Sequence, residues 1–217
     1  MKSITYSTCF QNHSRRDKVI GTRGAYGFYK DGVTKVTYNH WDSYPSSLGD
    51  SIKDFLVNTK REQLDEIFDR IRLVRADEKP TSEDIEKLKP FYNGDVNGGS
   101  EEYYNFLRET QGDLKAYVDY PELDVMIDSE DFLQDSLFCE WAYIINLEND
   151  TLEIYKGFQT EPSTSRYEDK EAIKEVKEKS IRMSMDTYYA VSMIEKIPLS
   201  EIKDFDMEKF EEELNED

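Results

Sequence analysis

The chain is predicted to be an α+β protein, and three observations carry that reading. Two segments alternate apolar and polar residues around turn signals, Thr22–Tyr38 and Glu140–Gln159, and so read as β-hairpins. Between them lie segments with helical spacing of apolar residues, chiefly 48–71 and 81–118. No run of 18 apolar residues and no repeat with a period of 20–50 residues offers another architecture. The expected form is an antiparallel sheet of the two hairpins plus one or two further strands, with helices on one or both faces. Residues 1–217 read as a single domain, with 76–135 a helical insertion or cap and 201–217 an acidic tail.

Taken in order, Ser3–Phe10 is rich in Thr, Tyr and Ile and reads as a short strand, and Gln11–Lys18 as a polar loop. His13 in that loop has no second His or Cys at metal spacing, which makes it a surface residue. Lys30-Asp31-Gly32 separates two β-type runs, and Asp-Gly supplies the positive φ angles of a type I′ turn. Gly21, Gly24 and Gly27 precede no helix and form no dinucleotide fingerprint; in a strand they let another backbone, or a ligand, come close. After the Tyr44-Pro45 turn, Leu48, Ile52, Phe55 and Leu56 share one helical face. Thr59 and Glu62 form a capping-box pattern before a second helix bearing Leu64, Ile67, Phe68 and Ile71.

Thr81 and Asp84 open a short helix, Asn93–Gly99 is a loop and insertion boundary, and 100–111 is helical up to Gly112. Leu114, Tyr117 and Val118 continue on another short helix. Asp128, Glu130 and Asp131 lack the Gly and terminal Glu of a calcium loop and read as acidic charge at a helix start. Asn149-Asp150 turns the second hairpin. Lys170–Ile181 is a charged helix and Tyr188–Ile197 a last strand. Glu201–Asp217 holds nine carboxylates against two lysines; Met207, Phe210 and Leu214 at helical spacing make it a weakly docked helix or a solvating tail.

Composition narrows function. The apolar fraction is 37%, but 15 Tyr and 11 Phe add apolar bulk to a core. A net charge of −19 disfavours direct nucleic-acid binding and anionic membranes. The charge is uneven: residues 1–40 carry +5 and the remainder −24, so a basic N-terminal face could focus a small anion. Two cysteines, Cys9 and Cys139, give neither a disulfide framework nor a metal set, and Met1–Ile20 lacks the apolar core of a secretory signal. The expected location is the cytoplasm, with no metal and no cofactor.

The densest chemistry lies in Gly21–Gly49. Arg23, Tyr26, Asn39, His40, Trp41, Asp42 and Tyr44 are the candidate ligand-binding residues, with Thr22 and Ser43 beside them. Arg23 offers a fork for carboxylate or phosphate and Trp41 or Tyr44 a stacking face. A structural alternative accounts for the same residues: Trp41 and Tyr44 as core anchors, Arg23–Asp42 as an ion pair and Asn39 as a turn cap.

GTRGAYGF with VTYNHWDSYP, and CEWAYIINLENDTLEIYKGF at 139–158, resemble a family of uncharacterised proteins of phages and bacterial mobile elements. The resemblance spans roughly the first 60 residues and Phe138–Phe158, and implies an accessory role, in counter-defence for example, in a host cytoplasm. More distantly, the strand, hairpin and Asn/Asp segment are similar to the start of N-terminal-nucleophile hydrolases such as choloylglycine hydrolases and type II glutamine amidotransferases. That similarity implies Thr22 as nucleophile after cleavage, with Asn39 and Asp42 positioning the site. Only the Asn and Asp of the family's Arg-Asn-x-Asp segment are matched, and Tyr38 stands where the Arg would be. Three functions are therefore open. The first is a non-catalytic binding protein for a nucleotide-like or other small anionic ligand, or for a host protein. The second is an acidic interaction protein or nucleic-acid mimic, and the third an amidohydrolase using Thr22.

Overall fold

The computed structural model describes residues 21–92, 102–168 and 188–216. The strand expected at 3–10, the loop with His13, the loop at 93–99 and the helix expected at 170–181 lie outside the described residues.

Strands β1 (Gly24–Lys30) and β2 (Val33–Asn39) form the first hairpin, in register from Lys30↔Val33 to Gly24↔Asn39. Asp31 and Gly32 turn it at φ 53° and 74°, the left-handed pair that a type I′ turn requires. Gly24 and Gly27 admit backbone: a Cβ on Gly24 would sit 2.5 Å from the Trp141 carbonyl oxygen, and one on Gly27 2.1 Å from that of Lys35, whereas one on Gly21 would meet only the Trp41 ring at 3.7 Å.

A short π-turn, Pro45–Gly49, leads into α1 (Asp50–Asn58), followed by α2 (Arg61–Arg70). The capping pattern is displaced by one residue. The Gln63 side chain accepts from the Lys60 N–H at 3.1 Å, whereas the Thr59 hydroxyl turns back to the Phe55 carbonyl at 2.6 Å and closes α1. The chain continues through β3 (Arg72–Val74), α3 (Ser82–Leu88), α4 (Tyr103–Leu107), α5 (Ala116–Asp119) and β4 (Val125–Ile127). Thr81 caps α3 by accepting from the Asp84 N–H at 3.1 Å. The middle segment is not purely helical. β4 pairs in parallel with β3, and Leu88, Phe106, Leu114, Tyr117 and Met126 join the same apolar core as Tyr26 and Phe28 of β1.

The second hairpin is β5 (Trp141–Asn146) and β6 (Thr151–Lys156), and β7 (Ser192–Pro198) adds to its edge. The main sheet runs β2-β1-β5-β6-β7. Every pairing is antiparallel except the junction of the hairpins, where β1 and β5 run parallel from Gly24↔Trp141 to Tyr29↔Asn146. A parallel neighbour needs a long crossover, and here the crossover is all of 31–140. The class is thus α+β with a mixed, mostly antiparallel sheet. Finally α6 (Met207–Glu216) buries Met207 and accepts the Ser46 N–H on Glu211 Oε2 at 2.9 Å.

The sheet is covered on both faces. One face presents Tyr26, Phe28, Trp141, Tyr143, Ile145, Leu152 and Ile154 to α1, α2 and the middle segment. The other presents Ala25, Ala142, Ile144 and Tyr155 to a smaller cluster with Leu133, Cys139, Tyr167, Ala190 and Val191. Small residues on that second face let loop segments come close where no helix of the first face reaches. Among the described residues, no helix is long and apolar enough to cross a membrane.

Candidate ligand cleft

Where β2 leaves the sheet, the chain folds on itself through side-chain bonds to backbone. Asn39, almost fully buried, donates from Nδ2 to the Trp41 carbonyl and to Ser43 Oγ at 2.8 Å. Asp42 takes a left-handed φ of 47°, a conformation Asp tolerates better than most residues. The Ser43 N–H then donates to the Thr22 carbonyl at 3.2 Å, and the Tyr143 hydroxyl to the Ser43 carbonyl at 2.9 Å. The Asp42 carbonyl accepts the Leu48 N–H at 3.3 Å, and the Tyr44 carbonyl accepts the Gly49 N–H at 3.2 Å, the bond that closes the π-turn. One wall of a cleft is thereby fixed.

The opposite wall comes from the middle segment. A 3-10 turn at Arg108–Thr110 ends at Gly112, whose φ of 80° closes the turn. The Tyr26 hydroxyl holds it from beneath, donating to the Thr110 carbonyl at 3.1 Å and accepting the Gly112 N–H at 2.8 Å. Burial pushes the Tyr26 hydroxyl far above its ordinary pKa, so it remains a neutral strut. The walls meet where Asn39 Oδ1 lies 3.1 Å from the point a Gly112 Cβ would occupy.

Between them opens a cleft of about 390 Å³ lined by Asn39, Trp41, Asp42, Ser47, Leu48, Ser51, Arg108, Glu109, Gln111 and Gly112. Trp41 is 56% exposed beside it. His40 stands edge-on to the indole at 4.2 Å between centroids, and its Nδ1 is 2.7 Å from the Tyr38 hydroxyl. The lining carries two carboxylates, Asp42 and Glu109, against the Arg108 guanidinium.

Of the residues expected to bind a ligand, Asn39, Trp41 and Asp42 line the cleft, and His40 and Tyr26 support it from behind. Tyr44 belongs to the π-turn, accepting the Gly49 N–H, and does not line the cleft. The Arg23 side chain points elsewhere: its guanidinium lies 4.7 Å from the Phe138 ring centroid, while the residue's backbone N–H donates to Glu140 Oε1 at 3.3 Å. No Arg23–Asp42 ion pair forms. The other described cations of the first hairpin are engaged at its far end. Lys30 pairs with Asp65 and Asp69 at 3.0 Å, and Lys35 donates to the Phe68 and Ile71 carbonyls at 2.7 Å.

Thr22 is buried and its hydroxyl has no hydrogen-bond partner. Cys139 is buried, its Sγ 3.6 Å from the Trp141 carbonyl, and burial pushes its thiol pKa far up. Asp128 accepts the Glu130 N–H at 3.1 Å in an acidic turn, and among the described residues no three metal-capable side chains converge.

Sequence reasoning missed Arg108, Glu109 and Gln111. The one local signal was Gly112, which marked a helix end without showing that the turn lies against Asn39. No protein-family model, curated protein or solved structure matches the chain.

Proposed function

We propose that this chain is a non-catalytic binding protein whose cleft between Trp41 and Arg108 takes a small ligand with a planar, donor-bearing head, of the nucleoside and nucleoside monophosphate class. The observation that carries the reading is the exposed Trp41 indole beside a cleft lined by Asp42, Glu109, Gln111 and Arg108. The indole supplies a stacking face, the carboxylates and Gln111 accept and donate at a base edge, and Arg108 meets one anionic group. Two carboxylates against one guanidinium argue for a ligand with little negative charge, so a triphosphate is disfavoured. A role as a phage or mobile-element accessory factor is supported by the sequence resemblance over roughly the first 60 residues and Phe138–Phe158.

The test is a thermal-shift and calorimetric screen against adenosine, its monophosphate and its triphosphate. Stabilisation of about 2.7 kcal/mol is expected at a ligand concentration about 100 times Kd. The first two ligands should bind better than the triphosphate, and Trp41→Ala should weaken both while moving stability by less than about 0.5 kcal/mol. No shift with any nucleoside or nucleotide overturns the reading. A second reading, an acidic surface for a basic host protein, is favoured by Glu208, Glu212, Glu213 and Glu216, all exposed on helix α6. Its expected signature is capture that falls steeply as salt rises.

A further inference from the structure

The cleft does not end at Ser51 and Gly112. Both residues also line a second hollow of about 480 Å³, bounded by Phe55, Asn58, Thr59, Leu114 and Val118, with Asp54, Asp113 and Lys115 at its rim. The two hollows therefore adjoin along one side of α1, with Ser51 and Gly112 at their shared boundary. Their linings differ in chemistry. The first offers an indole, two carboxylates, an amide and a guanidinium; the second has Phe55, Leu114 and Val118 at its base. Lys115 at the rim is paired with Asp119 across one helical turn. Asp54 and Asp113 leave that rim acidic, which disfavours an anionic occupant.

A polar compartment opening into an apolar one of similar size fits one elongated molecule better than two separate ligands. Together the hollows lie in the size range of small-molecule sites, in which apolar walls provide affinity and a few polar groups fix orientation. Gly112 belongs to both linings. With a φ of 80° and Asn39 Oδ1 3.1 Å from where a Cβ would sit, a side chain there would press into the boundary between the two hollows.

We infer that the ligand is amphipathic: a planar polar head held at Trp41 and Arg108, joined to an uncharged apolar arm that passes Ser51 and Gly112 and fills the hollow at Phe55, Leu114 and Val118. The inference rests on the proposed head-group reading and names the rest of the same molecule. Each buried methylene should tighten binding about fourfold, so an arm of a few carbons separates full ligand from head alone by about tenfold to a hundredfold.

The experiment compares three probes by calorimetry: adenosine, N6-benzyladenosine and 5′-O-hexanoyladenosine, which carry arms at opposite ends of the head. The proteins are the full chain and two variants that fill the hollow, Val118→Trp and Asn58→Trp. Asn58 is exposed at the mouth, so its variant tests occlusion even where tryptophan at the half-buried Val118 disturbs folding. The expected result is that at least one arm-bearing probe binds tenfold or more tighter than adenosine. That gain should disappear in the filled variants, while adenosine binds all three proteins equally. If adenosine binds but neither arm adds affinity, or the gain survives both variants, the inference is overturned and the head-group reading stands. If none of the probes binds any of the proteins, both are overturned.

Discussion

The two faces of the main sheet solve the burial of polar groups in opposite ways. On the helix-covered face the sheet's buried polar side chains include tyrosine hydroxyls. Tyr26 braces Thr110 and Gly112, and Tyr143 braces Ser43. Each is neutral and joins a rigid ring to a backbone group of a loop; in the layer above, Tyr117 likewise donates to the Val125 carbonyl of β4 at 2.9 Å. On the other face the polar group is a charge. Glu153, almost fully buried, accepts from Asn146 Nδ2, Arg166 and the Tyr155 hydroxyl, all at 2.8 Å, while the Arg166 guanidinium lies 4.0 Å from the Tyr29 ring centroid. A neutral strut can be lost with modest damage; a buried carboxylate depends on all its partners, and they on it. The candidate cleft stands on the face with the neutral struts, where its walls are set in place by uncharged hydrogen bonds.

That contrast can be broken by measurement. Glu153→Ala is expected to have the largest effect, a loss of about 3 kcal/mol in urea-unfolding free energy, because the Asn146 Nδ2 and Tyr155 hydroxyl donors lose their acceptor. Arg166 is partly exposed and regains water, which keeps the loss from being larger. Tyr26→Phe should lose about 2 kcal/mol, since the Thr110 carbonyl and Gly112 N–H both lose a partner. It should also weaken ligand binding at the cleft, which Glu153→Ala should leave unchanged where the protein remains folded. A binding loss in the Glu153 variant and none in the Tyr26 variant would reverse the assignment of the cleft to the strutted face.

The smallest effect sharpens the comparison through pH. The helix-covered side does hold one charged anchor at its edge, Asp84, with Arg72 NH2 2.9 Å from both carboxylate oxygens and the Tyr103 hydroxyl donating to it. Burial alone would raise its pKa, but the Tyr103, Thr81 and Arg72 hydrogen bonds outweigh it and hold the carboxyl below its ordinary value of 3.8. Its stabilisation is therefore complete above the ordinary value and is lost as pH falls through the lower folded value. Urea midpoints of wild type and Asp84→Asn, followed from neutral pH down through the carboxylate range, should converge only below 3.8. Convergence already at higher pH would mean that Asp84 is not held down by its partners.

Local chemistry made much of this molecule legible. Asp31-Gly32 can turn tightly only with positive φ, so the first hairpin and its register followed from two residues and the alternation around them. The apolar stripes of α1 and α2 followed from spacing, and the crowding of Asn39, Trp41 and Asp42 marked one wall of the cleft. Alternation misled at β6: Glu153 falls opposite Leu152 and Ile154, as a solvent-facing residue would, yet that face is covered and the carboxylate is buried. Three-residue strands such as β3 and β4 are too short to show a period at all.

The sequence by itself determined the two hairpins, the longer helices, the fold class and the one wall of the cleft that lies within a single stretch of chain, because turns, caps and periodicity are properties of neighbouring residues. Tertiary structure decided what depends on residues far apart in the chain. It set β1 parallel to β5, buried Glu153 with Arg166, turned Arg23 away to Phe138, and brought Gly112 against Asn39 with Arg108 in the lining of the same cleft. Those contacts exist only because the helical layer packs on the sheet and the Tyr26 hydroxyl fixes the turn at Gly112. Burial and close approach are set by the whole packed core, and no local pattern encodes them.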